Sequence, residues 1–150
     1  MTRSAGSQYF EAACAGWSDG VCGGGDIEDP SAVWGCMGTD ISGANGEALG
    51  TGQQNTTDIV NSCATAGIAA RLADALVLGG RSDWHLPSIS EQIQMETMRE
   101  ALGVGEGWYW SSSEQADGGY APGWTFGRYG ASTYAQEKTN TFSVRPIRSF

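Results

Sequence analysis

The sequence predicts an α+β fold: two helices packed on small, irregular antiparallel sheets, rich in loops, with no alternating strand–helix–strand crossovers. Three observations carry this expectation. The first third is glycine-rich and aperiodic; the middle shows apolar spacing of three and four residues between capping signals; the last third alternates with period two. At 150 residues the chain matches one domain, 1–150, and is long enough to bury about 70% of its unfolded surface.

Residues 1–54 read as short strands and ordered loops, without a separate domain of their own. The chain holds 23 glycines with no Gly-X-Y period, which implies many turns rather than a helical bundle or a collagen segment. Asp26, Glu28 and Asp29 offer oxygens suited to calcium. They lack the spacing of a calcium-binding loop, so a solvated acidic turn is expected, with no cofactor and no metal. Cys14, Cys22, Cys36 and Cys63 contain no CxxC pair, so a zinc site has little support. They allow two disulfides in any of three pairings, as suits an extracellular or virion protein, and at least one is expected. Reduced thiols buried as small hydrophobes are the competing reading, and Cys63 fits it because it lies on the apolar face of a predicted helix.

That first helix is expected in NTTDIVNSCATAGIAARLADALVLGG. Asn55 is its cap, Asp58 sits in its first turn, and Ile59, Cys63, Ala66, Ala70, Ala73 and Val77 form one stripe. Gly79-Gly80 is the stop. A second helix starts at Ser88, which forms a capping box with Glu91. Its inward side is read as Ile93, Met98 and Leu102, and Gly103 ends it.

Strands follow. In WYWSSS, Trp108, Trp110 and Ser112 fall on one face and Tyr109, Ser111 and Ser113 on the other. GWTFGRYG places Trp124 and Phe126 together, and TFSVRPIRSF pairs Phe142 with Val144. Pro146 cannot donate to a ladder, so the strand before it lies at an edge or ends there.

The net charge of −9 argues against nucleic acid and against an anionic membrane surface, both of which need clustered Lys and Arg. No apolar run is long enough to span a bilayer, and MTRSAGSQYF has no hydrophobic signal-peptide region.

GTGQQNT, GGRSDWHLPS, YWSSSE and the terminal VRPIRSF, in this order over roughly residues 50–150, together resemble the C-terminal domain family named after the Legionella collagen-like adhesin. That resemblance implies a C-type lectin-like fold of the kind seen in formylglycine-generating enzymes. The family occurs on cell-surface adhesins and on phage or viral proteins, and among the variable proteins of diversity-generating retroelements. A non-catalytic binding module is therefore expected, on a virion or at the cell surface, with a protein or glycan on a cell as partner. His85 stands where the family usually carries Arg. It is read as a structural residue, alongside the fold-defining Asp83, Trp84, Leu86 and Pro87. Trp110, Trp124 and Phe126 are assigned to the core, and Arg145 and Arg148 to internal acids or carbonyls.

Once the core aromatics are set aside, the segment from Trp108 to Gln136 leaves Tyr109, Ser111, Ser113, Gln115, Asp117, Tyr120, Arg128, Tyr129, Ser132 and Tyr134 among glycines and alanines. This is the composition of an antibody paratope, where tyrosine gives rigid contact area at low entropic cost and Ser and Gly add adaptable polar contacts. These ten are the candidate ligand contacts. Adenine-directed variation of AAC codons reaches Tyr, Ser, Asp and Arg but not Trp, Glu, Gln, Lys or Met. The candidates other than Gln115 lie in the reachable set, whereas the framework residues Trp110, Glu114, Trp124 and Lys138 do not. A diversified receptor-binding face is the reading that follows. A fixed-sequence adhesin or glycan-binding domain, or a virion structural subunit with aromatic contacts, is the alternative.

Catalysis is not expected. All four cysteines lie at or before Cys63, so the C-terminal cysteine pair of formylglycine-generating enzymes has no counterpart. A single histidine inside a structural motif builds no Ser-His-Asp triad. Glu114 is read as a turn or ion-pair residue, not as one of two glycosidase carboxylates with Asp117.

Overall fold

The computed structural model describes residues 9–17, 22, 28–114, 119–126 and 132–150, with the backbone alone for 122–126 and 132–134. Among these residues the architecture is mixed α+β, with four helices and two small sheets. In chain order the elements are β1 (Phe10–Ala12), β2 (Ser31–Val33), α1 (Gly52–Ser62), α2 (Ala69–Asp74), α3 (Ile89–Thr97), α4 (Arg99–Leu102), β3 (Gly107–Trp110), β4 (Tyr120–Phe126), β5 (Ser132–Glu137), β6 (Thr141–Ser143) and β7 (Ile147–Ser149). The five-stranded sheet runs β2-β6-β3-β4-β5, and β1 pairs with β7. The short N-terminal strands thus pair with the C-terminal ones: Ala32 opposes Phe142, and Glu11 opposes Arg148.

The first expected helix is two. α1 begins at Gly52 with Thr51 as its cap position, so Asn55 lies inside it. There the Asn55 amide spans Gly46, donating to its carbonyl at 2.7 Å and accepting from its N–H at 3.2 Å. Gly52 permits the close approach of α1 to the 86–91 segment, since a Cβ would collide with the Glu91 carboxylate and the Leu86 carbonyl. α1 stops because Cys63 turns extended and Gly67 takes a φ of +76°. Arg71 then closes the break, its guanidinium donating to the carbonyls of Val60 and Cys63 at 2.8 Å each. Ile59, Cys63, Ala70 and Ala73 are buried as expected, but Val77 and Ala66 are exposed.

Ser88 and Glu91 form the capping box at α3. The inward face differs from the apolar one: Glu91, Gln92 and Met95 are buried, while Ile93 and Met98 are exposed and Leu102 is half-buried. Hydrogen bonds set this rotation. Glu91 accepts from Ser88 N–H at 2.5 Å, and the Gln92 amide donates to the Trp110 carbonyl at 2.6 Å. The Thr97 hydroxyl donates to the Gln94 carbonyl at 2.7 Å, competing with the helical ladder just where α3 gives way to α4. Gly103 ends α4 with a left-handed φ of +63°.

Four buried tryptophans organise the main core, and each indole N–H donates to a backbone carbonyl: Trp17 to Val144, Trp34 to Ser111, Trp84 to Arg81 and Trp110 to Ala32. The rings supply apolar volume while their single polar atom ties separate segments together. Trp108 and Trp110 both pack on Phe142 of β6. Two disulfides, Cys14–Cys22 and Cys36–Cys63, hold the loops of the first half to this core. Cys63 is therefore buried on the apolar face, but it is oxidised, so the reduced-thiol reading does not hold. No helix among the described residues is long and apolar enough to cross a membrane.

Candidate binding face

β4 and β5 form an antiparallel pair in which Tyr120 opposes Glu137, Gly123 opposes Tyr134 and Thr125 opposes Ser132. β5 is the outer strand of the five-stranded sheet. Both ends of the segment leading into β4 are fixed. On one side Glu114 accepts from the Lys138 ammonium and, at 2.7 Å, from the Ile41 N–H. On the other, the Gly119 carbonyl accepts from Lys138 N–H at 3.2 Å. The Lys138 ammonium also donates to Thr39 O at 2.8 Å and lies 4.5 Å from the centre of the Trp34 ring. One lysine therefore anchors the entry to β4 and the exit from β5.

Of the ten candidate contacts, Tyr120 is on the surface, with 37% of its area exposed, at the start of β4. Ser132 and Tyr134 lie in β5, described by backbone only. Gln115, Asp117, Arg128 and Tyr129 lie outside the described residues, as do the side chains of Trp124 and Phe126.

Three candidates belong to the interior. Tyr109 is 5% exposed and donates to Asp29 Oδ2 at 3.0 Å. Ser111 is fully buried, and its carbonyl accepts from Trp34. Ser113 is buried with its hydroxyl donating to Gly46 O at 2.7 Å and accepting from Ile89 N–H at 3.3 Å. Period-two alternation had implied one wet face for this strand. β3 lies inside the sheet between β6 and β4, and its second face meets Met95, Val104 and Ile147, so both faces are covered.

Asp29 is likewise no solvated turn. It is buried and accepts from Arg145 Nε at 2.8 Å and from Gly16 N–H at 3.1 Å, besides Tyr109. The remaining Arg145 donors reach the carbonyls of Ala13, Leu102 and Gly103, so this buried cation has a complete set of acceptors. Burial first, and then the Asp29 charge, push the Tyr109 phenol well above its ordinary value, keeping it a neutral donor. Arg148 binds Asp83 at 2.8 Å and Glu11 at 2.9 Å. Arg145 thus serves an internal acid and carbonyls, as expected from the sequence, whereas the acids paired with Arg148 lie at the surface.

His85 is buried, its backbone paired with Ile147 and its Nε2 3.5 Å from Glu91 Oε1. Burial raises the Glu91 carboxyl's proton affinity, but the contacts from His85 and Ser88 outweigh it and leave the pKa below the usual value. Among the described residues no group of three or more His, Cys, Asp or Glu side chains is placed to hold a metal ion. Lys138 and Asp29 were the anchors hardest to foresee, because their partners lie 24 and 116 residues away in sequence.

Compared with the models of known protein families the chain matches none, and no curated protein matches it.

Proposed function

We propose that the chain is a non-catalytic ligand-binding module with a C-type lectin-like fold, similar to the Legionella collagen-like adhesin C-terminal domain. Its contact face is the β4–β5 hairpin with the segments 115–118 and 127–131. The observation that carries this reading is the exposed Tyr120 beside a segment whose ends are tied to the core by Lys138. Tyrosines on a fixed scaffold lose little conformational entropy on binding, which is how a small polar-aromatic surface reaches useful affinity. With Tyr109, Ser111 and Ser113 assigned to the framework, the contact set is Gln115, Asp117, Tyr120, Arg128, Tyr129, Ser132 and Tyr134.

A diversified receptor-binding protein of a retroelement fits this division, because the residues beyond the reach of adenine-directed variation include the anchors Trp110, Glu114 and Lys138. The partner in this reading is a protein or glycan displayed on a cell surface. Burial of the single histidine against Glu91 supports a structural role for it and a protein that performs no chemistry.

Two experiments test the proposal. An adenine-rich template repeat and a reverse transcriptase beside the gene are expected, and their absence leaves a fixed-sequence adhesin. Capture on arrays of cell-surface glycans and proteins is expected without cleavage, and should be lost in Tyr120→Ala/Tyr134→Ala at unchanged melting temperature. Bond cleavage, or capture that survives these replacements, contradicts it.

A further inference from the structure

β5 ends the five-stranded sheet, so one side of its backbone has no neighbouring strand among the described residues. Which groups lie on that side follows from the ladder. Lys138 N–H donates to the Gly119 carbonyl at 3.2 Å, and the register runs one to one from Tyr120↔Glu137 to Thr125↔Ser132. Antiparallel pairs alternate between bonded and non-bonded positions, so Gln136, Tyr134 and Ser132 bond to β4. Pro122, which has no N–H, falls opposite Ala135 at a non-bonded position, as this alternation requires. Thr133, Ala135 and Glu137 therefore turn their N–H and C=O groups outward. The Glu137 carbonyl is taken by the Asn140 N–H at 2.9 Å. No described residue bonds the outward groups of Thr133 and Ala135, and Ala135 is exposed.

Such a row of donors and acceptors is matched by another extended backbone, and the sequence of β5, STYAQE, favours its own copy. Edges that are kept from self-pairing carry Lys, Pro or a bulge, or are very short. β2, at the other edge, has three residues. β5 has six, with no Lys, no Pro and no skipped residue in its register. Antiparallel pairing about a two-fold axis at Tyr134 sets Thr133 of one copy opposite Ala135 of the other, twice over, and satisfies every outward group of both residues. Glu137, the one charge of the strand, and its own copy then stand roughly 20 Å apart, so no like charges oppose each other across the pairing. We infer that two copies of the chain associate through β5 and join their sheets into one. Side chains stand perpendicular to a sheet, so edge pairing leaves its faces uncovered and does not depend on the proposed contact face. The net charge of −9 on each copy opposes approach, so the association depends on concentration and strengthens with salt.

Sedimentation of the whole chain from micromolar to millimolar concentration tests this, together with amide hydrogen exchange. The mass should rise from one chain toward two. The Thr133 and Ala135 amides should then exchange more slowly, while those of Tyr134 and Gln136, already bonded to β4, stay unchanged. Ala135→Pro removes an outward donor but no bond to β4. It deletes half of the bonds between copies and should weaken association about tenfold or more. Two further variants test the register. Thr133→Lys/Ala135→Lys sets lysine against lysine across the axis and should abolish pairing, whereas Thr133→Lys/Ala135→Glu sets lysine against glutamate and should retain it. Both alter the same two edge positions, so a general folding defect would not separate them. A single-chain mass at every concentration overturns the inference and leaves the edge to a strand of another protein. Undiminished association of Ala135→Pro, equal association of the two double variants, or a dimer in which the Thr133 and Ala135 amides exchange as before also overturns it.

Discussion

Lys138 and Glu114 form a buried ion pair that joins the exit of β5 to the entry of β4. Neither group reaches bulk water, so each relies on the other and on the Thr39 carbonyl and Ile41 N–H. Removing one partner should therefore be worse than removing both. Lys138→Met or Glu114→Gln should each cost about 3–5 kcal/mol, while the double replacement costs clearly less than their sum. Urea unfolding of the three variants measures this, and additive losses would contradict the coupling.

The two disulfides should differ in accessibility and in contribution. Cys22 is exposed, whereas Cys63 is buried against the core, so mild thiol reductant should open Cys14–Cys22 first. The closed segments have sequence separations of 8 and 27 residues. Chain entropy then predicts losses of roughly 2.5 kcal/mol for Cys14→Ser/Cys22→Ser and about 3.5 kcal/mol for Cys36→Ser/Cys63→Ser. Alkylation with mass mapping and thermal melts check the order.

Acid should loosen the joint between α3 and the 83–88 segment. The contacts from Arg148 hold Asp83, and those from His85 and Ser88 hold Glu91, below their ordinary values of 3.8 and 4.5. The unfolded chain therefore binds more protons around and below these values, and stability must fall as pH drops through this range. Glu91→Gln should flatten the melting temperature between pH 5 and about pH 3 relative to wild type. An unaltered slope would remove Glu91 from the account.

The Arg145 hub yields a fourth expectation. Its planar fork serves Asp29 and three carbonyls, and an ammonium cannot reproduce that geometry. Arg145→Lys should lose about 3 kcal/mol or more and expose Tyr109, read as a quicker modification of that phenol.

These anchors show what was legible in the sequence and what was not. Capping residues act locally, so the Ser88–Glu91 box and the Gly103 stop were readable from a few letters. The burial of Trp110 and the pairing of Arg145 with internal groups were also foreseeable from residue type, whereas Arg148 pairs with acids at the surface. The rotation of α3 was not, because Glu91 and Gln92 face inward to bond Ser88 and Trp110, against the apolar pattern. The break between α1 and α2 depends on Arg71 capping the end of α1 and on Cys36 reaching Cys63. Period-two alternation placed Tyr109 and the serines after it on a wet face, but position within the sheet decides how many faces are covered, and a single strand does not reveal its neighbours.

The central claim is that indole rings build the scaffold while the phenols of the β4–β5 region face water. Hydroxyl-radical footprinting of the dilute monomer, read by mass spectrometry at each tyrosine, tests it most directly. The account predicts rapid modification of Tyr120, Tyr129 and Tyr134 and protection of Tyr109. Protection of Tyr120, Tyr129 and Tyr134 at the level of Tyr109 would contradict it.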